Sequence, residues 1–193
     1  MNRKILASTT LFLLLATTAT ALTLDGSCDI GFFGQSTLHG FEGKVTCQPF
    51  TLTSAGETGE DRVIRQAVVE VLVGEMDTDN SGRNTKMRDM FEQKSYPQIQ
   101  GLFDDFDPDL VLQQLQGLGS VPGHLEFDLR IREISQRVQA VTRDLVITPE
   151  RISFAMEFPL SLASFQLQPP SVLGFIKVDD QVQVKARVLL KRH

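Results

Sequence analysis

The sequence predicts a mainly β protein, built as an eight-stranded antiparallel barrel with one or two short helices. Three observations predict it. Leu125, Phe127, Leu129 and Ile131 alternate with Glu126, Asp128, Arg130 and Arg132. Ile152, Phe154, Met156 and Phe158 repeat the pattern against Ser153, Ala155 and Glu157, and Val182, Val184, Ala186, Val188 and Leu190 repeat it again. A period of two places the apolar side chains of each segment on one face of a strand. The second observation is the punctuation: 133–136 and Thr148-Pro149-Glu150 are short enough for tight hairpins, which favour antiparallel neighbours. The third is that helical spacing is confined to two short stretches.

The remaining elements follow in chain order. Arg3 and Lys4 precede an apolar run over 5–16, and Ala19-Thr20-Ala21 offers small residues for cleavage. Residues 1–21 therefore read as a secretory signal peptide and 22–193 as one mature domain. The apolar run is too short and too rich in threonine to span a bilayer. Less clean strands are expected over 29–37, 42–53, 65–74, 98–104 and 137–147. The segment 68–73 is apolar on both faces apart from Glu70, so a helix is expected over its outer face. A first helix is expected over 84–94, where Met87, Met90 and Phe91 have helical spacing. A second begins at Asp107-Pro108, a capping residue followed by proline, and stops at Gly117. Residues 161–167 read as a turn containing Phe165.

The formal charge is −5, and it becomes more negative once Arg3 and Lys4 are removed. An acidic surface argues against nucleic-acid partners and against binding anionic head groups by charge alone. Cys28 and Cys47 are the two cysteines. Export permits a disulfide between them, with two buried thiols as the alternative.

Several features imitate chemistry. Residues 77–82 begin like a calcium loop, but Arg88 stands where a bidentate glutamate belongs. His39, His124 and His193 have no partners at metal-ligand spacing, so no metal is expected. Asp104, Asp105, Asp107 and Asp109 fit a helix cap and a solvated loop better than acid–base catalysis. Neither a nucleophile elbow nor a phosphate or dinucleotide loop is present.

A sheet with one apolar face must bury it, against a second sheet or by closing on itself. Eight strands is the size at which a closed barrel fills its interior or holds one small ligand. Phe127, Leu129, Phe154, Met156 and Phe158 point inward with hardly any inward polar group, whereas an enzyme pocket needs convergent polar groups. Periodicity fixes direction only, so a filled core remains the alternative to a hollow one.

Four separated stretches resemble the YceI family of lipocalin-like lipid-binding domains. Phe33-Gly34-Gln35-Ser36-Thr37-Leu38-His39-Gly40-Phe41-Glu42-Gly43 is similar to the family's opening strand, which ends near histidine before aromatic-x-Gly. Val69 to Gly74, then Arg83, Met87, Arg88, Phe91 and Tyr96-Pro97-Gln98-Ile99, resemble its strand, arginine-bearing helix and Tyr-Pro-x-Ile strand. Val121-Pro122-Gly123-His124-Leu125-Glu126-Phe127 and Val178-Asp179-Asp180-Gln181-Val182-Gln183-Val184 resemble the strand after the second helix and the closing strand. The resemblance covers nearly all of 22–193. The chain departs from it in Arg83-Asn84, where many relatives have Arg-Asp, in a first strand region that looks shortened, and in its two cysteines.

The resemblance implies a helix-capped barrel with a tunnel for polyisoprenoid chains, isoprenoid quinones or related lipids. By position and inward face, the expected lining is Phe33, His39, Phe41, Met87, Met90, Phe91, Phe127, Leu129, Ile152, Phe154, Met156 and Phe158. The expected function is a periplasmic or secreted carrier or reservoir, not an enzyme, with no cofactor beyond a possible bound lipid or quinone. Its partners would be an isoprenoid-type lipid and, transiently, a membrane, and the protein would be a monomer or homodimer. The alternatives are a solid-cored interaction module that binds a partner protein, and a hydrolase or isomerase with a site at the barrel mouth.

Overall fold

A computed structural model of the chain describes residues 23–54, 63–117, 122–169 and 178–192. The expected signal peptide, Leu22 and His193 lie outside them.

The strands are β1 (Thr23–Ser36), β2 (Gly40–Thr46), β3 (Phe50–Thr53), β4 (Ile64–Leu72), β5 (Gln98–Phe106), β6 (Gly123–Ile131), β7 (Ile134–Ile147), β8 (Arg151–Ser161) and β9 (Val178–Arg192). The helices are α1 (Ser81–Met90) and α2 (Pro108–Gln116), with single 3-10 turns at Val73–Glu75 and Ala163–Phe165. All pairings are antiparallel, in the order β2-β1-β9-β8-β7-β6-β5-β4. β3 also pairs with β1. Since β2 lies along Asp29 to Gln35 and β3 along Thr23 to Gly26, the two share one place beside β1. The sheet therefore has eight strand positions. The single strand expected over 42–53 is split where Pro49, which has no N–H to give a ladder, interrupts the pairing.

These strands curl into a half-barrel, and the two edges meet in a thin seam. Lys44 and Asp77 exchange backbone hydrogen bonds of 2.8 and 2.9 Å, and the Gln48 amide donates to the Glu70 carbonyl at 2.8 Å. Cys47 sits in the seam opposite Val71 and is disulfide-bonded to Cys28 of β1, with Cα atoms 5.3 Å apart.

Register explains how β1 approaches its neighbours so closely. Gly26 faces Phe50, Phe32 faces Gly43, and Gly34 faces Phe41. In each pair the phenyl ring lies in the space that a Cβ on the glycine would occupy. Aromatic rings covering bare strand glycines stabilise the pairing.

The hairpin between β6 and β7 turns at Arg132-Glu133, one step earlier than the expected 133–136, with Arg132 at φ 56°. The β7–β8 turn falls at Thr148-Pro149-Glu150 as expected, closed by Thr148 N donating to the Arg151 carbonyl (2.8 Å). β1 begins well before the expected residue 29, because Leu24 and Cys28 continue its buried face. Helix α1 begins and ends earlier than 84–94: Asn80 caps it by accepting from Arg83 N (2.9 Å). Helix α2 has the expected bounds, with Asp107 accepting from Asp109 N (2.8 Å) and Gly117 at φ 67° ending it. The outer face of β4 carries a polar cluster, where the Gln98 and Gln100 amides donate to Glu70. The helix expected there packs elsewhere: α2 lies against β6 and β7.

The core falls into two clusters. One gathers Phe32, Val71, Met87, Phe91, Phe127, Leu129, Phe158 and Leu160 beneath α1. The other gathers Leu24, Leu52, Ile64, Leu125, Ile152 and Phe154 around Leu115 of α2. The helices thus cover opposite parts of the interior.

Candidate ligand-binding cavity

The interior is hollow. A chamber of about 500 Å³ lies beneath α1, and a second of about 210 Å³ lies beneath α2. The larger falls within the ~300–1,000 Å³ range of small-molecule sites.

The larger chamber is roofed by Met87 and Met90 of α1 with Phe91 at its C-cap, and walled by Phe32, Val45, Leu160 and Val182 from the sheet. Its mouth lies between the β1–β2 turn and the first half of α1. The turn is fixed by Ser36, whose N and Oγ both donate to the His39 carbonyl (3.0 and 2.7 Å). That places Leu38, 67% exposed, at the rim. His39 is also at the rim, with Nδ1 donating to the Gly40 carbonyl (2.9 Å). The Arg83 guanidinium lies 5.1 Å from the centroid of the Phe41 ring and donates to the Thr78 carbonyl (3.5 Å), and Lys86 is exposed beside it.

Polar contacts hold α1 in place. The Asn84 amide donates to Asp77 (2.8 Å) and accepts from the amide and hydroxyl of Thr78 (2.9 and 2.7 Å), while Arg88 donates to the Gly74 carbonyl (2.8 Å). The Asn84 amide, then the Asp79 backbone N–H, hold the Asp77 carboxyl below the usual carboxylate range. The segment that resembled a calcium loop is thus a hydrogen-bonded turn.

The smaller chamber is lined by Leu24, Leu52, Leu125, Ile152, Phe154 and Leu115. Six residues line both chambers: Ile30 of β1, Val71 of β4, Ile99 of β5, Leu129 of β6, Phe158 of β8 and Val184 of β9. They form a girdle between the two spaces. Along one side of it Phe103 stacks on Phe127 (5.3 Å between centroids), and Phe127 meets Phe158 edge-on (5.6 Å). β7 runs between β6 and β8 and presents Ala140 there, fully buried, so nothing bulky holds the two rings apart.

Eleven of the twelve expected lining residues border a chamber. His39, Phe41, Met87, Met90 and Phe91 border the larger, Phe127, Ile152, Phe154 and Met156 the smaller, and Leu129 and Phe158 both. Phe33 does not. It is 38% exposed on the outer face, with the Lys185 ammonium 5.5 Å from its ring centroid. Its neighbour Phe32, opposite Val184, turns inward instead. A one-residue step along a strand exchanges the faces. Phe32, Val71, Ile99, Phe103 and Val184 were missed. Val184 lies on an alternating face already visible in the sequence, whereas glycines at 26, 31 and 34 obscure the alternation of β1.

Among the described residues, the polar side chains of the larger chamber cluster at its mouth, while the wall beyond them is hydrocarbon. Buried Thr78 and Thr142 spend their hydroxyls on Asn84 and on the Leu115 carbonyl (2.7 and 3.2 Å). The space suits an apolar chain whose polar end stays at the rim.

The family model of the YceI-like domain matches residues 19–190. No curated protein matches the chain. Among solved structures, a polyisoprenoid binding domain from Saccharophagus degradans, implicated in plant cell wall breakdown, superposes with a TM-score of 0.62 at 13% identity, covering 90% of this chain and 99% of that one. BcnA from Burkholderia cenocepacia superposes with a TM-score of 0.58 at 15% identity, covering 84% and 95%. At these identities the likeness is one of fold.

Proposed function

We propose, from the premise that this chain belongs to the YceI-like domain family, that it binds a long apolar lipid of the polyisoprenoid or isoprenoid-quinone class in its interior and serves as a carrier or reservoir. The observation that carries this reading is the pair of apolar chambers that meet at a girdle, with polar side chains, among the described residues, at their outer ends: Ser36, His39, Arg83 and Lys86 on the larger, Asp109 and Arg192 on the smaller. The printed description of the Saccharophagus degradans domain as polyisoprenoid binding supports the ligand class.

The energetics favour exchange over permanent capture. Burying a methylene is worth about 0.8 kcal/mol relative to water. A long isoprenoid is therefore never free in water, and its real alternative is a bilayer. An apolar tunnel competes with lipid on nearly equal terms per methylene, so it can take up a chain and release it. Leu38, exposed at the mouth, supports brief contact of this end with a membrane. Arg3 and Lys4 ahead of an apolar run, with small residues at 19–21, support export, to the periplasm or beyond. Binding rather than catalysis fits a hydrocarbon wall without convergent acid, base or nucleophile.

The test is direct. Protein purified from cells that make it is extracted into organic solvent and analysed by mass spectrometry. The delipidated protein is then mixed with vesicles that carry an isoprenoid quinone. Recovery of an isoprenoid in the first arm, or uptake in the second, is expected. Repeated recovery without lipid, together with no uptake, would end the carrier reading.

A further inference from the structure

We infer that the girdle between the two chambers is a length stop, and that Phe158, with Phe127 behind it, sets how long an apolar chain the protein accepts. The inference rests on the lipid-binding reading and specifies which chains the same cavity takes.

Three observations carry it. The interior is two spaces of about 500 and 210 Å³, the larger bordered by exposed Leu38 and Lys86 and the smaller by exposed Asp109 and Arg192, so each approaches the surface at its own end and they meet at the girdle. The residues common to both come from six different strands, so the boundary between the two spaces is built from around the interior instead of from one wall. Phe158 is the bulkiest of the six, 5% exposed, and its position is backed by the edge-on contact with Phe127 and that ring's stack on Phe103.

A chain that enters between the β1–β2 turn and α1 fills the larger chamber first. A chain short enough to end at Phe158 buries all its methylenes and exchanges with a bilayer at little net cost. A longer chain must displace the supported ring to reach the smaller chamber, or leave its excess in water at the mouth. Both cost free energy that the bilayer does not demand, because burial is lost in proportion to the apolar surface left in water. Discrimination by length then appears in partition between membrane and protein, where a continuous tunnel would show none.

The experiment measures transfer of a graded series of prenols, from farnesol through geranylgeraniol to solanesol, from phosphatidylcholine vesicles into the full-length protein. Flotation removes the vesicles, and the protein-bound prenol is quantified by mass spectrometry. The wild-type protein is expected to take the shorter prenols comparably and to show a severalfold fall in uptake beyond one length. Phe158→Ala should move that break to longer prenols, and Val184→Phe, which narrows the same girdle, to shorter ones. Near-ultraviolet circular dichroism establishes that each variant is folded. If Phe158→Ala does not fold, Phe158→Leu makes the same test with a smaller shift. Uptake without a break, or a break unmoved in folded variants of both kinds, overturns the length stop and leaves the carrier reading standing. Uptake of no prenol at any length overturns the carrier reading and the length stop together.

Discussion

Asn84 ties helix α1 to the seam with both ends of its amide, and Asp77 depends on it. A second carboxyl, Asp180, is likewise held below the usual range, by the Ser161 hydroxyl and then by the Ala163 N–H at 2.7 Å. A carboxylate lowered in the folded state stabilises above its unfolded pKa, about 4, and that contribution is lost as pH falls through the lower folded value. The melting temperature is therefore expected to fall as pH drops below about 4. Asn84→Asp would set a second carboxylate against Asp77 and remove the donor that holds its charge. Like charges raise each other's pKa, so the variant should melt below wild type at about pH 7 and regain part of the gap near pH 5 as one group takes a proton. A gap that stays constant across that range would contradict the pairing. At this scale Phe32 and Phe33 mark the limit of the sequence. Adjacent identical rings give no signal of which one faces in, and only the register with Val184 decides it.

Helix α2 reaches the sheet through one bare position. A Cβ on Gly123 would strike the Leu115 carbonyl at the end of α2 and the Thr142 hydroxyl that donates to it. At Gly101, by contrast, a Cβ would meet its nearest neighbour, Phe127, at an ordinary 3.7 Å. Gly123→Ala is expected to cost about 1–3 kcal/mol in urea unfolding, as overpacking does, with Gly101→Ala well below it. Equal costs at the two sites would show that the approach of α2 is not what Gly123 serves. The bounds of α2 were legible because its cap, proline and terminal glycine are local chemistry. The split between β2 and β3 was missed although Pro49 and the change of apolar parity from Val45 and Cys47 to Phe50 and Leu52 mark it; that the two short strands share β1 was not legible, because it is a matter of pairing. Helix α1 was placed too late along the chain, because its apolar residues are near its end while its cap is Asn80.

The whole molecule is closed by little. Among the described residues, three backbone hydrogen bonds cross the seam between β2 with the segment after it and the β4 side, and the Cys28–Cys47 disulfide lies directly beside them. A crosslink that closes a loop of this length stabilises by about 3 kcal/mol, mainly by restricting the unfolded chain. Replacing both cysteines by serine is expected to lower stability by about 2–4 kcal/mol in denaturant unfolding and to raise amide exchange at Lys44, Gln48 and Asp77 before the rest of the sheet. Loss of stability with exchange spread evenly over all strands would place the crosslink's effect elsewhere. The eight-position antiparallel sheet could be read in advance because alternation is a property of single strands. Its hollowness could not, because that depends on how side chains from six strands meet across several ångströms.

One contribution to that emptiness is made by residues that have no side-chain carbon. Along β1 and its partners the phenyl groups of Phe50, Phe32 and Phe41 lie flat across Gly26, Gly43 and Gly34. A methyl group on any of the three would tip a ring into the lumen. The free volume of the interior is therefore governed from the strand skeleton, and would shrink while the strand ladder itself stayed intact.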